Sequence, residues 1–190
     1  MKHSKHTAEN LSKLRDVRNL IIDMDGVLYR GNAPTPGLAS LFAFMHERNI
    51  RFKLATNNSS RTPAEYVAKL AGMHVTVRPD DVLTSGIATA DYLAGIAPPG
   101  TRVYVIGAES LADTMRQRGF VVSDQNAAFV VVGMDTQVTY DKLRRATLLI
   151  RAGARFIGTN PDRTFPSEEG IVPGNGAFWP PLRRPPTSLR

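Results

Sequence analysis

The chain has no cysteine at all. Disulfides, thiolate metal sites and cysteine nucleophiles are therefore excluded, and a reducing compartment suits such a composition. No apolar run approaches the roughly 18–20 residues of a membrane span. The first eighteen residues are polar and rich in Lys, Arg and His, without the apolar stretch of a signal peptide. The expected location is the cytoplasm, with no membrane partner. Internal repeats are absent. Aromatic residues are sparse at 7%, with a single tryptophan.

What the chain does have is an ordinary globular composition. Of 190 residues, 42% are apolar and 22% charged, which suits one domain with a modest insert. The net charge of +7 raises the question of an anionic polymer as partner. The basic residues, however, gather at the ends: Lys2, Lys5, Lys13, Arg15 and Arg18, then Arg183, Arg184 and Arg190. No helix carries a basic stripe interleaved with aromatics. The surplus reads as solvated surface, and nucleic acid is not expected as a partner.

Apolar runs of strand length alternate with helical periodicity. Strands are predicted at 19–23, 51–55, 82–84, 102–106, 120–122, 128–133 and 155–158. Helices are predicted over 36–48, with Thr35 as cap, and over 62–71, where Thr62 and Glu65 have capping-box spacing. Further helices are predicted over 87–93, 109–118 and 140–152, with Gly119 and Gly153 at the C-terminal cap positions of the last two. This alternation with near-continuous apolar strands argues an α/β fold with a mostly parallel sheet. Such sheets bind ligands at the carboxyl ends of their strands. The end of the chain, from Trp179 to Arg190, is too rich in Pro and Arg to continue the fold and is expected to be disordered or draped on the surface.

Two strand ends carry chemistry. The first runs out in Asp23-Met24-Asp25-Gly26. Carboxylates two residues apart on a strand point the same way and resist joint ionisation. A divalent cation relieves that conflict, and oxygen-only ligands suit Mg²⁺. A carboxylate held there can attack phosphorus, and a second can shuttle the proton. The same residues would also serve a simple strand-ending turn. The second strand ends in Thr56-Asn57-Asn58-Ser59-Ser60. Its hydroxyl and amides can hold phosphate oxygens. Alone it would read as a polar loop; one βα unit after Asp23, the phosphate reading prevails. His3, His6, His46 and His74 have no second ligand at metal spacing.

Together these motifs resemble the haloacid dehalogenase superfamily, within it the N-acetylglucosamine-operon phosphatase and 4-nitrophenyl phosphatase subfamily. The resemblance covers roughly residues 19–178. It includes Leu83-Thr84-Ser85-Gly86, Val132-Gly133-Met134-Asp135, Thr159-Asn160-Pro161-Asp162 and Pro173-Gly174-Asn175-Gly176. It implies a Rossmann-like parallel-sheet core with an inserted α/β cap of the C2 type. The implied divisions are a basic tail at 1–18, the first half of the core at 19–84, the cap at 85–173 and a return to the core with a Pro/Arg-rich tail at 174–190.

The implied activity is Mg²⁺-dependent hydrolysis of small phosphorylated metabolites through an aspartyl-phosphate. Asp23 would be nucleophile and metal ligand. Asp25 would be general acid/base, with its backbone carbonyl on the metal. Thr56, Asn57 and Asn58 would hold the phosphoryl group. Asn160 and Asp162 would face the substrate from the cap, although Asn-Pro-Asp is equally good type I turn chemistry.

The family also supplies, after its cap, a lysine and a Gly-Asp…Asp motif. After Ala177-Phe178 this chain reads Trp-Pro-Pro-Leu-Arg-Arg-Pro-Pro and contains neither. Arg183 and Arg184 follow no strand and match no motif. The core would then be incomplete and the chain truncated, as after a frameshift. The alternative function is accordingly a catalytically impaired fragment that at most binds phosphate esters. An exposed half-sheet would favour homo-oligomers.

Overall fold

The computed structural model describes residues 16–167, 170–180 and 182. The basic residues at 2, 5, 13, 15, 183, 184 and 190, with His3 and His6, lie outside them.

β1 (Asn19–Asp23) is followed by a small hairpin, β2 (Tyr29–Arg30) and β3 (Ala33–Pro34). Then come α1 (Leu38–Glu47), β4 (Arg51–Thr56), α2 (Pro63–Ala71) and β5 (Val82–Thr84). A first sheet, in order β1-β4-β5, is parallel throughout. Its register pairs Asp23 with Ala55 and Thr56 with Thr84, so the candidate motifs leave the sheet side by side. Beneath lies a core of Met24, Leu28, Tyr29, Phe42, Met45, Leu54, Tyr66 and Leu70, all buried.

α3 (Ser85–Ala94) leads to a second parallel sheet. It comprises β6 (Arg102–Ile106), β7 (Val121–Val122), β8 (Phe129–Val132) and β9 (Arg155–Gly158), in order β7-β6-β8-β9. α4 (Glu109–Gln117) and α5 (Tyr140–Arg151) join its strands. β8 is buried along its whole length, as its unbroken Phe-Val-Val-Val requires. A hairpin of β10 (Thr164–Ser167) and β11 (Gly170–Pro173) follows, then a 3₁₀ turn over Asn175–Phe178. The predicted α/β class and parallel pairing are both observed, and no helix among the described residues is long and apolar enough to cross a membrane.

The caps follow local chemistry. Thr62 and Glu65 form the predicted box. Gly119 and Gly153 sit just beyond α4 and α5 with φ of +85° and +113°, where a side chain would be strained.

Two expectations are corrected and one unforeseen element is added. Thr35 does not cap α1. The unforeseen β2–β3 hairpin draws the chain back, so that the Thr35 amide donates to Leu28 O and its hydroxyl to Val27 O at 2.8 Å. The helix starts instead after Gly37, at φ +81°. The segment 164–173 forms a hairpin that no periodicity announced. And the tail is not draped at its start. Trp179 packs edge-on against Phe156, and Leu182 is buried in the core under the second sheet with Val130, Val132 and Ile150. Apolar area outweighs the prolines between them.

β1 has one neighbouring strand among the described residues, and Ile21 on it is 80% exposed.

Candidate active site

A shallow pocket of about 170 Å³ lies at the carboxyl ends of the first sheet. Asp23, Thr56 and Thr84, each the last residue of its strand, line it with Ala55, Asn57, Leu83, Ser85 and Ala88. Placing the end residues of three parallel strands in one pocket is what the register requires.

Asp23 is exposed at the end of β1. Asp25 does not line the pocket but is held beside it by a turn: Gly26, at φ +84°, donates its amide to Tyr29 O at 2.8 Å, and Leu28 N bonds to Met24 O. Thr56, which is buried, donates its hydroxyl to the Asp25 carboxylate at 3.3 Å and accepts from the Asn58 amide at 3.1 Å. This one hydroxyl links the two sequence motifs.

Asn57 opens on the pocket, and its backbone oxygen accepts from Ser85 Oγ at 2.7 Å. Its side-chain amide donates to the Asp162 carboxylate, which also accepts from Asn160 Nδ2 at 3.1 Å. Asn160 and Asp162 therefore belong to the same constellation, brought from the second sheet's side, although neither lines the pocket wall. The Asn58 side chain turns elsewhere. Its oxygen accepts from Ser60 N and Ser60 Oγ at 2.8 and 2.7 Å, a local brace for the loop.

Tyr29 and Tyr66 stand behind this cluster, both buried. Burial pushes the Tyr66 hydroxyl up to about 12, with the Asp25 charge adding to it. Burial raises Tyr29 further, Asp25 again contributing.

Several residues escaped sequence reasoning. Ser59 is buried between the two sheets, 3.3 Å from Thr159 Oγ1 and accepting from Met134 N. Asn175 donates to Val132 O, Thr159 Oγ1 and Asn160 O from a buried position. Ser85 supports Asn57. A serine in a polar loop gives no signal of burial. Asn175 stands between Gly174 and Gly176, where nothing in the sequence marks a buried amide.

Fit to a divalent cation rests on the donor set. Two carboxylates, a hydroxyl and backbone carbonyls are hard oxygen ligands, as Mg²⁺ prefers. That ion takes one or two carboxylates and fills its shell with water and phosphate oxygens. Among the described residues no group of three or more His, Cys, Asp or Glu is placed to hold a metal. The arrangement fits a cation shared with a phosphate ligand, not a closed protein cage.

A sequence profile of the haloacid dehalogenase-like hydrolases matches residues 20–121. The acid sugar phosphatase of Staphylococcus epidermidis is 42% identical over 159 residues, covering 83% of this chain. The chain spans 61% of that relative's length. A solved 4-nitrophenylphosphatase from Thermotoga maritima superposes with a TM-score of 0.83 at 36% identity, over 90% of this chain and 67% of that one. The glycerol phosphate phosphatase of Mycobacterium tuberculosis, solved in complex with magnesium, gives 0.79 at 34% identity, over 87% of this chain and 50% of that one.

Proposed function

The chain belongs to the haloacid dehalogenase-like hydrolases, and from that premise we propose that it acts on phosphomonoesters of small metabolites, with Mg²⁺, by way of an aspartyl-phosphate on Asp23. One observation carries this reading: the end residues of three parallel strands, Asp23, Thr56 and Thr84, share a pocket, with Asp25 tied to Thr56. The relatives named acid sugar, 4-nitrophenyl and glycerol phosphate phosphatases support the ester class.

Asp23 and Asp25 would hold the cation, which would screen the charge of the phosphoryl group and of the nucleophile. Thr56 and Asn57 bind the phosphoryl oxygens, and Asn58 shapes the loop that carries them. An Asp23 oxygen attacks phosphorus while the bond to the leaving oxygen breaks. Asp25 gives that oxygen its proton. In the second half, Asp25 takes a proton from water, the water oxygen attacks phosphorus, and the bond to Asp23 breaks to release phosphate.

Residues 85–173 act as a cap over the pocket, with Asn160 and Asp162 facing the ester. The small pocket volume suits a phosphate with a short leaving group. In this reading the protein works in the cytoplasm on small molecules, without nucleic acid or membrane. Copies associate through the edge of β1 that has no partner strand among the described residues.

A second reading, a phosphate-ester binding module without turnover, is favoured by one feature. Among the described residues, no Lys or Arg lines the pocket. Phosphoryl transfer depends on such neutralisation.

The deciding assay is p-nitrophenyl phosphate hydrolysis by the 190-residue chain with Mg²⁺, with EDTA and as Asp23→Asn. Turnover that both controls abolish supports the hydrolase. A folded chain that binds phosphate with Mg²⁺ but releases no nitrophenol supports the binding module.

A further inference from the structure

Asp162 holds an unusual place beside the pocket. Its carboxylate accepts from Asn57, which lines the pocket with Asp23 and Thr56. It also accepts from Asn160. Both donors are themselves held: Asn57 O by Ser85 Oγ, and Asn160 O by Asn175 Nδ2 at 3.0 Å. Among the described residues, Asp162 takes part in no ion pair.

An amide donor meets a carboxylate oxygen and a phosphate oxygen in the same way, as an anionic acceptor. The Asn57 amide is thus engaged by the protein's own anion, at the place where the proposed reading needs it for phosphate. The two acceptors compete for one donor. The Asn160 tether keeps the displaced carboxylate nearby. There, without a cationic partner, it accepts from hydroxyls and repels negative charge.

We propose that Asp162 is an internal anion that occupies the Asn57 amide until a phosphoryl group displaces it, and then selects leaving groups that bear hydroxyls over leaving groups that bear a second negative charge. The substrate class is therefore a polyol or sugar monophosphate. This inference rests on the phosphate-site reading of Thr56 and Asn57.

The test is calorimetric titration of the full chain, with Mg²⁺ present, using inorganic phosphate as probe. The proteins are wild type, Asp162→Asn, Asn57→Ala and the double variant, with Asp162→Ser as a second removal of the charge. Near-isosteric Asn keeps the contact to Asn160 while removing repulsion at a partly solvated site. Phosphate affinity is expected to rise roughly three- to tenfold. Asn57→Ala is expected to cancel most of that gain. Wild type should also prefer glycerol 3-phosphate to 3-phosphoglycerate, which replaces a hydroxymethyl group with a carboxylate, and Asp162→Asn should narrow that preference.

Phosphate bound by wild type but no more tightly by either charge-removing variant overturns the inference alone. So does a gain that survives intact in the Asn57→Ala background. Phosphate bound by none of the proteins overturns the phosphate-site reading as well.

Discussion

The hydroxyl oxygens of Ser59 and Thr159 lie 3.3 Å apart, a hundred residues distant in the chain. Ser59 follows the first sheet's candidate phosphate loop, and Thr159 follows the last strand of the second sheet. Around this contact Ser59 accepts from Met134 N through Oγ and from Ser110 Oγ through its carbonyl. Thr159 in turn accepts from the buried Asn175 amide. The loop that carries Thr56 and Asn57 is thus seated on the carboxyl ends of the second sheet, where Gly133 follows β8 and Gly158 ends β9. Chemistry assigned to the first sheet takes its geometry partly from the second.

The seat is tight at Gly133. A Cβ there would stand 2.5 Å from Ser59 Oγ and 2.6 Å from Leu111 Cδ2, and Leu111 is itself fully packed. Gly133→Ala is expected to destabilise the protein by about 1–3 kcal/mol, as overpacking does. Ser59→Gly in the same background should restore part of it. Urea unfolding midpoints give the comparison; an unchanged midpoint in Gly133→Ala would refute the packing argument.

Much of this arrangement was legible beforehand, for a physical reason. A strand buried on both faces must be apolar throughout, and β8 is such a run; β1, β4 and β6 are partly exposed but still show as strand-length, mainly apolar stretches, and parallel pairing aligns the strand ends within each sheet. Asp23, Asp25, Thr56 and Asn57 could be placed from that logic. Ser59, Ser85 and Asn175 could not, because their roles arise from contacts between segments 15 to 100 residues apart. Trp179 stood open between a docked and a solvated place, and only its packing on Phe156 decides between them. Thr35 was misread because a cap depends on where the preceding chain goes, and a two-residue hairpin leaves no periodic trace.

Trp179 is the only tryptophan of the chain. It packs on Phe156 and so close to Gly158 that a Cβ there would stand 2.1 Å from the indole. Its fluorescence should therefore be blue-shifted in the native state and move red as the second core unfolds. Trp179→Phe should keep most of the stability. Trp179→Ala should lose about 2 kcal/mol, less than for a fully buried tryptophan because this one is half-buried. Native emission already at the wavelength of the urea-unfolded chain would show that the side chain is not docked.

The Glu65 carboxylate accepts from Thr62 N at 2.6 Å and Thr62 Oγ1 at 2.8 Å, closing the capping box of α2. The Thr62 backbone amide, with the Thr62 hydroxyl adding to it, holds the carboxyl below its ordinary 4.5. A group with a lowered value in the folded state adds stability above its unfolded value and loses it as pH falls through the folded one. The site is largely exposed, so Glu65→Ala should cost only about 0.5 kcal/mol at neutral pH. The difference from wild type should shrink below pH 4.5. Denaturant titrations at pH 7 and in mild acid measure it; a gap that grows on acidification would reverse the assignment.

Tyr66 presents the opposite sign. Its hydroxyl is buried beside Thr56 without a hydrogen bond of normal geometry, and burial raises it from 10.0 to about 12. The folded state therefore holds the phenolic proton more firmly than the unfolded chain does. Whatever stability this linkage contributes is complete below pH 10 and is lost as pH rises toward 12. Tyr66→Phe removes the ionisable group and keeps the ring in the core that Leu70 and Met24 share. At neutral pH a hydroxyl without a good partner adds little, so the variant should lie within about 1 kcal/mol of wild type. In alkali the order should change, with the phenylalanine variant keeping its structure at pH values where the wild-type chain unfolds. Thermal melts from pH 8 to 11.5 would follow the crossover. Parallel curves would mean that Tyr66 ionises as freely in the folded protein as in the unfolded chain, and that the packing around Asp25 and Thr56 is looser than these contacts imply.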